Sequence, residues 1–114
     1  MVGLAKIALF SVVLVHYEPM DGAQYKATIY ACMSSPVYIE RIRACEAWIH
    51  EEEENSFTDV VKSRPYLHMG IAYKEYGYTE RALMFLEESI RLHPSKPAID
   101  ARDELLKKTQ NPAQ

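Results

Sequence analysis

The chain has 114 residues, which is enough for one domain of ordinary size and too few for two. Hydrophobic residues make up 48% and charged residues 25%, which excludes a disordered tail and a polytopic membrane protein. Thirteen basic and sixteen acidic residues give a net charge of -3, with no basic block that could bind nucleic acid phosphates. Only four glycines are present, which favours helices over many tight β-turns.

Residues 1–23 have the layout of a secretory signal peptide. A lysine precedes an apolar run at 7–15, and a polar, turn-rich stretch follows it. The apolar run is about half as long as a membrane-spanning helix needs, so we expect no stable membrane span. The cleavage site is poor, because Asp21 stands two positions before Ala23, where a small neutral residue is preferred. The alternative is a buried strand, since Ile, Val and Phe favour β structure.

A signal peptide would place the remaining domain, residues 24–114, in the periplasm or outside the cell. We expect cleavage soon after Pro19 in that case. If residues 7–15 are instead a buried element, the protein would be cytoplasmic.

The segment after Ser35 has helical periodicity. Serine is a good N-cap, and Pro36 is tolerated at the first helical position. Apolar residues recur at 38, 42, 45 and 49, while Arg41 lies off that line. The pattern predicts a helix over 36–50, preceded by an ambiguous stretch.

Four consecutive glutamates, 51–54, follow this helix. Negative charge at a helix C-terminus opposes the macrodipole, so we expect the helix to fray into solvent here. The alternative is a site for a cation or a basic partner.

The sequence predicts three further helices, over 64–76, 79–93 and 97–109. Pro65 argues that any helix over 58–62 is interrupted before the next one starts. Gly77 is a natural C-terminal residue, and Pro94 ends the following helix. The expected fold class is therefore all-α.

Residues 63–96 form a 34-residue unit that resembles a tetratricopeptide repeat. Four positions match the repeat identically, namely Gly70, Tyr73, Ala82 and Pro94. Four more are replacements of similar use, namely Tyr66, Met69, Leu86 and Ser89. Small residues at 70 and 82 allow two antiparallel helices to approach closely, and the larger side chains fill the space around that contact.

The resemblance implies a short array of helical hairpins with a C-terminal capping helix. Residues 97–109 look like the polar helix that closes such an array. Residues 36–50 look like the second helix of a degenerate preceding unit. A shift of 34 residues, however, places Trp48 where the repeat has its small alanine.

The function implied by the resemblance is a non-catalytic scaffold that binds a protein or peptide on a concave helical surface. The groove would be lined by Arg64, Leu67, Ile71, Lys74 and Glu75. Members of the family that clamp acidic C-terminal tails have Lys where Leu67 stands and Asn where Ile71 stands. We therefore expect an apolar patch here rather than that clamp, unless both residues simply pack against the 36–50 helix.

A structural role is the alternative. A solenoid normally needs about three repeats to be stable by itself, and the chain holds one full repeat with partial flanks. It could form a homodimer through an exposed helix face and act as an assembly subunit.

The stretch from Cys32 to Cys45 also resembles small exported bacterial proteins, in which an Arg-Ile-x-Ala-Cys helix precedes one or two tetratricopeptide repeats. The resemblance supports export and a disulfide between these cysteines, which are more often paired than free in small exported domains. We expect the bridge to require an extended chain over 32–35, because a first helix through Cys32 would leave it too far from Cys45.

We expect no enzyme, cofactor or metal. The four histidines have no partner at metal-ligand spacing, and the sequence holds no phosphate-binding loop or nucleophile elbow. His68 is expected in the groove or on the surface.

Overall fold

The computed structural model describes residues 18–110, of which 83% are helical and none lies in a strand. The five helices are α1 (Gly22–Ser34), α2 (Tyr38–Asn55), α3 (Asp59–Glu75), α4 (Thr79–Leu92) and α5 (Lys96–Gln110). The predicted all-α fold is confirmed. The apolar run at 7–15 lies outside the described residues. Gly22 and Ala23 belong to α1, so this helix begins two residues before residue 24.

Helix α3 is the centre of the assembly. Helices α1 and α2 form one hairpin, α3 and α4 form a second, and α5 packs on α4. Helix α3 contacts all four of the other helices. One hydrophobic core runs through both hairpins and reaches α5, and it contains Cys32, Ile42, Cys45, Trp48, Met69, Ala72, Tyr73, Ala82, Leu86, Ala101 and Leu105.

The second hairpin closes around a glycine. A Cβ atom added at Gly70 would lie 2.7 Å from Cγ of Leu86 and 3.2 Å from the carbonyl oxygen of Ala82. Both neighbours are fully buried on α4, so neither has room to move away. The close helix contact inferred at positions 70 and 82 is therefore present.

Helix α3 ends where the sequence predicts. Gly77 has a φ of 85°, a conformation that glycine adopts without strain. Its N–H donates to the carbonyl of Lys74 at 3.1 Å, and the N–H of Tyr78 donates to the carbonyl of Tyr73 at 2.9 Å. This pair of bonds satisfies the last carbonyls of the helix and turns the chain into α4.

The first hairpin is closed by a disulfide between Cys32 and Cys45, whose Cα atoms are 4.6 Å apart. Both cysteines are fully buried. Cys32 nevertheless lies within α1, so the expectation that the bridge and this helix exclude each other is wrong. The extended stretch is the link at 35–37, not 32–35, since both Ser35 and Val37 have extended backbone angles. The link lets α2 begin about 7 Å beyond the end of α1, which brings Cys45 level with Cys32.

Helix α2 is longer than predicted at its C-terminal end. It starts at Tyr38 rather than Pro36, and it continues through the glutamates to Asn55 instead of fraying. Two of the glutamates are buried, because Glu51 accepts a hydrogen bond from the N–H of Met20 and Glu52 accepts one from the hydroxyl of Tyr25, both at 3.1 Å. Contacts with α1 and the residues before it thus outweigh the unfavourable interaction with the helix dipole.

Helix α3 begins at Asp59 and runs without interruption through Pro65, so the predicted start at 64 is wrong. The hydroxyl of Ser63 donates to the carbonyl of Val60 at 2.7 Å, and the carbonyl of Ser63 accepts from the hydroxyl of Ser89 at 3.0 Å. Pro65 itself is fully buried. Burial of the Pro65 ring offsets the loss of the N–H that proline lacks, and the bond from Ser89 ties the same segment of α3 to α4.

Arg41 connects three helices. Its periodicity suggested an outward position, yet the residue is 6% exposed. Its Nε donates to the carbonyl of Cys32 at 3.0 Å, and its guanidinium forms an ion pair with Glu75 on α3. The guanidinium carbon also lies 5.8 Å from the ring centre of Tyr76. The end of α1, the start of α2 and the end of α3 are joined through this one side chain.

We expect Gly70→Ala to lower the free energy of unfolding by about 1–3 kcal/mol, because the new methyl group overlaps Leu86. Alanine favours a helix by about 1 kcal/mol over glycine, so propensity alone predicts the opposite sign. Gly22→Ala is the matched control, since a Cβ there meets nothing within 4 Å. Urea unfolding of both variants decides the matter, and a Gly70→Ala protein as stable as Gly22→Ala would contradict the close contact. Ala82→Leu should destabilise the protein by a similar amount.

We expect reduction of the disulfide to lower the free energy of unfolding by about 3 kcal/mol, the value for a loop of this length in the chain-entropy model. The comparison is between the oxidised chain and the same chain in reducing buffer. Thiol titration of the oxidised protein in denaturant should find no free thiol. Two free thiols, or equal stability of the two forms, would contradict the bridge or its role.

Candidate interaction surfaces

The five residues predicted to line a partner-binding groove all lie on α3. We call this set the α3 face: Arg64, Leu67, Ile71, Lys74 and Glu75. Their spacing of three and four residues keeps most of them on one side of the helix. Arg64 and Glu75 are exposed, and the other three are half-buried.

Two charged residues of the α3 face are paired within the molecule. The Nζ of Lys74 lies 2.6 Å from Oε2 of Glu104 on α5, and the pairing lowers the pKa of Glu104. Glu75 pairs with Arg41 on α2. These two ion pairs connect α3 to both of its flanking helices and leave Arg64 as the unpaired charge of the set among the described residues.

The two apolar residues of the α3 face differ in packing. Leu67 packs against the hydrophobic core, which agrees with the alternative that it serves the fold. Ile71 is half-buried and does not belong to the core cluster. The apolar patch is therefore smaller than the sequence suggests, and Ile71 is its most accessible member.

The residues on which the resemblance to the repeat rests are brought together at one helix contact, with the exception of Pro94. Gly70, Tyr73, Ala82 and Leu86 are buried at the contact of α3 and α4, and Tyr66 is half-buried beside them. Pro94 is exposed and follows His93, the residue that caps the end of α4.

His68 does not lie free on the surface as expected. Its ring stacks on the indole of the buried Trp48, with 5.6 Å between ring centres and 16° between planes. Burial lowers the pKa of His68, and the positive charges of Arg41 and Arg64 lower it further. The side chain is a packing element between α2 and α3.

A groove with an aromatic floor lies between α2, α3 and α4. It has a volume of about 480 Å³. We call it the aromatic groove, and it is lined by Glu46, Ile49, His50, Glu53, Tyr66, Met69, Tyr73 and Phe85. Sequence reasoning missed it, although the seven-residue spacings of Tyr66 and Tyr73 and of Glu46 and Glu53 were visible signals.

The hydroxyl of Tyr66 is held at one side of this groove. It donates a hydrogen bond to Oε1 of Glu53 at 2.9 Å. Burial and this carboxylate raise the pKa of Tyr66 from 10.0 to about 12. The phenol therefore stays a neutral donor throughout the physiological range.

A second concave surface lies at the outer side of the first hairpin. We call it the α1 edge. Its cavity of about 620 Å³ is lined by residues of α1, the 35–37 link and the start of α2. Three of the nearby apolar side chains are strongly exposed, namely Tyr30 at 75%, Met33 at 47% and Val37 at 51%.

Within residues 18–110, no group of three or more histidine, cysteine or acidic side chains is placed to hold a metal ion. In the same part of the chain, no helix is both long and apolar enough to cross a membrane.

The chain was compared with protein-family models, with curated proteins and with solved structures. None of the three comparisons found a match.

We expect acid to destabilise the fold through His68. Because the pKa of His68 is lowered in the folded protein, the unfolded chain binds the proton more tightly. The contribution is therefore fully present above the unfolded pKa of about 6.5 and is lost as the pH falls below it. His68→Phe keeps a ring against Trp48 and should lose less stability than wild type between about pH 7.5 and 5.5.

His93→Gln is the control for this experiment, since His93 lies at the end of α4, away from Trp48 in sequence. Equal loss of stability in wild type and His68→Phe, measured by urea unfolding at both pH values, would contradict the role of His68.

Proposed function

We propose that the protein is a non-catalytic interaction module of the tetratricopeptide type, which binds a protein or peptide partner on the α3 face. The observation that carries the proposal is the position of Ile71, a half-buried apolar side chain outside the core, on the helix at the centre of the array. The exposed Arg64 lies two turns before it on the same helix.

The second hairpin supports this assignment. Its two helices approach at Gly70 and Ala82, the positions at which the repeat has small residues. Helix α5 follows as a third element with buried Ala98, Ala101 and Leu105 on one side and mostly charged residues on the other. Such a helix suits the end of an array, since it covers the core and presents a polar outer face.

We propose that the protein is exported to the periplasm or to the cell exterior. The structure contains a disulfide, and disulfides persist in oxidising environments such as the periplasm and the cell exterior. Met20 and Asp21 already make contacts of the folded domain, since Asp21 caps α1 and the N–H of Met20 bonds to Glu51. Cleavage just after Pro19 would preserve both residues, whereas cleavage after Ala23 would remove the cap.

The partner-binding proposal is tested by affinity capture from an extract of the native host. We expect wild-type protein to capture a partner that the double variant Arg64→Glu with Ile71→Ser does not. The control is Met84→Ser, which changes an exposed apolar residue on α4. A partner lost with Met84→Ser and kept by the double variant would contradict the assignment to the α3 face.

The exposed α1 edge favours a second candidate, a structural subunit that forms a homodimer. Tyr30 and Val37 line the same cavity and are both strongly exposed, so they are neighbours rather than single scattered apolar residues. Sedimentation velocity distinguishes the candidates: a dimer that becomes a monomer in the Tyr30→Ser with Val37→Ser variant supports the structural role. If the wild-type protein is a monomer at about 100 μM, the structural role is contradicted, because the dissociation constant of a stable homodimer is well below that concentration.

A further inference from the structure

The floor of the aromatic groove is a row of three rings. Tyr73 and Phe85 stack with 5.6 Å between ring centres and 16° between planes. Tyr66 and Phe85 stack at 6.4 Å and 26°. The almost fully buried Met69 also lines the groove. The faces of aromatic rings carry a negative electrostatic potential, which attracts cations.

The wall of the groove carries negative charge. Glu46 and Glu53 both line it from α2, where a spacing of seven residues places them on one face about 10.5 Å apart. No lysine or arginine lines the groove. Both glutamates are exposed, and neither forms an ion pair with another residue between 18 and 110.

Glu53 keeps one carboxylate oxygen for a ligand. Its Oε1 accepts the hydrogen bond from the Tyr66 hydroxyl, which fixes the carboxylate beside the aromatic row. Its Oε2 makes no hydrogen bond with another described residue. A cation that stacks on Tyr66 or Phe85 would therefore meet this oxygen without displacing an existing contact.

The shape and charge of this groove suit a guanidinium better than an ammonium. A guanidinium is planar, stacks on aromatic faces and donates two parallel hydrogen bonds to a carboxylate. A guanidinium already lies near one of the groove's rings, because the guanidinium carbon of Arg81 lies 5.7 Å from the ring centres of both Tyr73 and Tyr78. Tyr73 is thus a ring that contacts one guanidinium and also lines the groove.

We propose that the aromatic groove binds an arginine side chain of a partner protein, with its guanidinium stacked on the Tyr66–Phe85 end of the row and paired with Glu53. Glu46, two turns before Glu53 on α2, attracts the positively charged segment of the partner that carries this arginine. This site is independent of the α3 face. Its α3 residues are Tyr66, Met69 and Tyr73, whose mean direction lies about a third of a turn round the helix from that of Leu67, Ile71 and Lys74.

The test is a nuclear magnetic resonance titration of the ¹⁵N-labelled full chain with acetyl-arginine amide. Acetyl-citrulline amide has nearly the same shape without the charge and is the matched ligand control. We expect the shifted amides to cluster at Glu53, Tyr66 and Phe85, and the arginine derivative to bind at least fivefold more tightly than the citrulline derivative. Acetyl-lysine amide should fall between the two.

Variants test the same site from the protein side. The double variant Glu46→Gln with Glu53→Gln removes both charges at nearly constant volume and should raise the Kd at least fivefold. Glu87→Gln, at an exposed position of α4 outside the groove, should leave it unchanged. Phe85→Leu should also weaken binding. Urea unfolding of this variant and of the double variant verifies that each protein is folded.

Several outcomes would overturn the proposal. Equal binding of the arginine and citrulline derivatives would exclude recognition of charge. Shifts at Leu67 and Ile71 in place of the groove would assign the ligand to the α3 face. If binding of acetyl-arginine amide does not saturate up to about 50 mM, the site is excluded. Tighter binding of free L-arginine than of the amide would assign the groove to a small molecule rather than a partner protein.

Discussion

The first hairpin of this protein is held together at Cys32, through two groups of the same residue, and Arg41 carries the connection on to the second hairpin. Its side chain is bonded to Cys45 on α2, and its carbonyl accepts a hydrogen bond from Arg41. Arg41 in turn pairs with Glu75 on α3. A buried guanidinium is costly unless its donors are satisfied, so this position of Arg41 requires α1, α2 and α3 to be assembled together. The packing of the first hairpin therefore depends on the second.

This junction also determines which surfaces remain for partners. Glu75 and Lys74, two residues of the α3 face, already join α3 to its neighbours through ion pairs. The carboxylates of the aromatic groove, Glu46 and Glu53, form no ion pair with a described residue, although Glu53 accepts a hydrogen bond from Tyr66 on α3. The two surfaces consequently differ in charge: the α3 face has a free arginine at its start, and the groove has two acidic residues over aromatic rings.

Prediction from sequence succeeded for α4 and for the end of α3, and was weaker for the start of α3 and for the first hairpin. Helix α4 was predicted over 79–93 and observed over Thr79–Leu92, because Gly77 and Pro94 are strong local signals at its two ends. Helix α2 has 18 residues and α4 has 14, so a shift of 34 residues along the chain does not superimpose α2 on α4. The extra turn contains the buried glutamates, whose partners are distant in sequence and gave no local signal.

The sequence by itself determined the helical class, which follows from residue type and short-range spacing. The resemblance to the repeat implied the close contact of Gly70 with α4, and the resemblance to small exported proteins implied the pairing of the two cysteines. Only the tertiary structure decided that α3 continues through Pro65, that Arg41 is buried and that Phe85 joins Tyr66 and Tyr73 in one groove. The physical reason is the range of the interactions. Caps, turns and small-residue contacts act within a few residues or within one hairpin, whereas burial and ion pairing depend on groups that only the packed helices bring together.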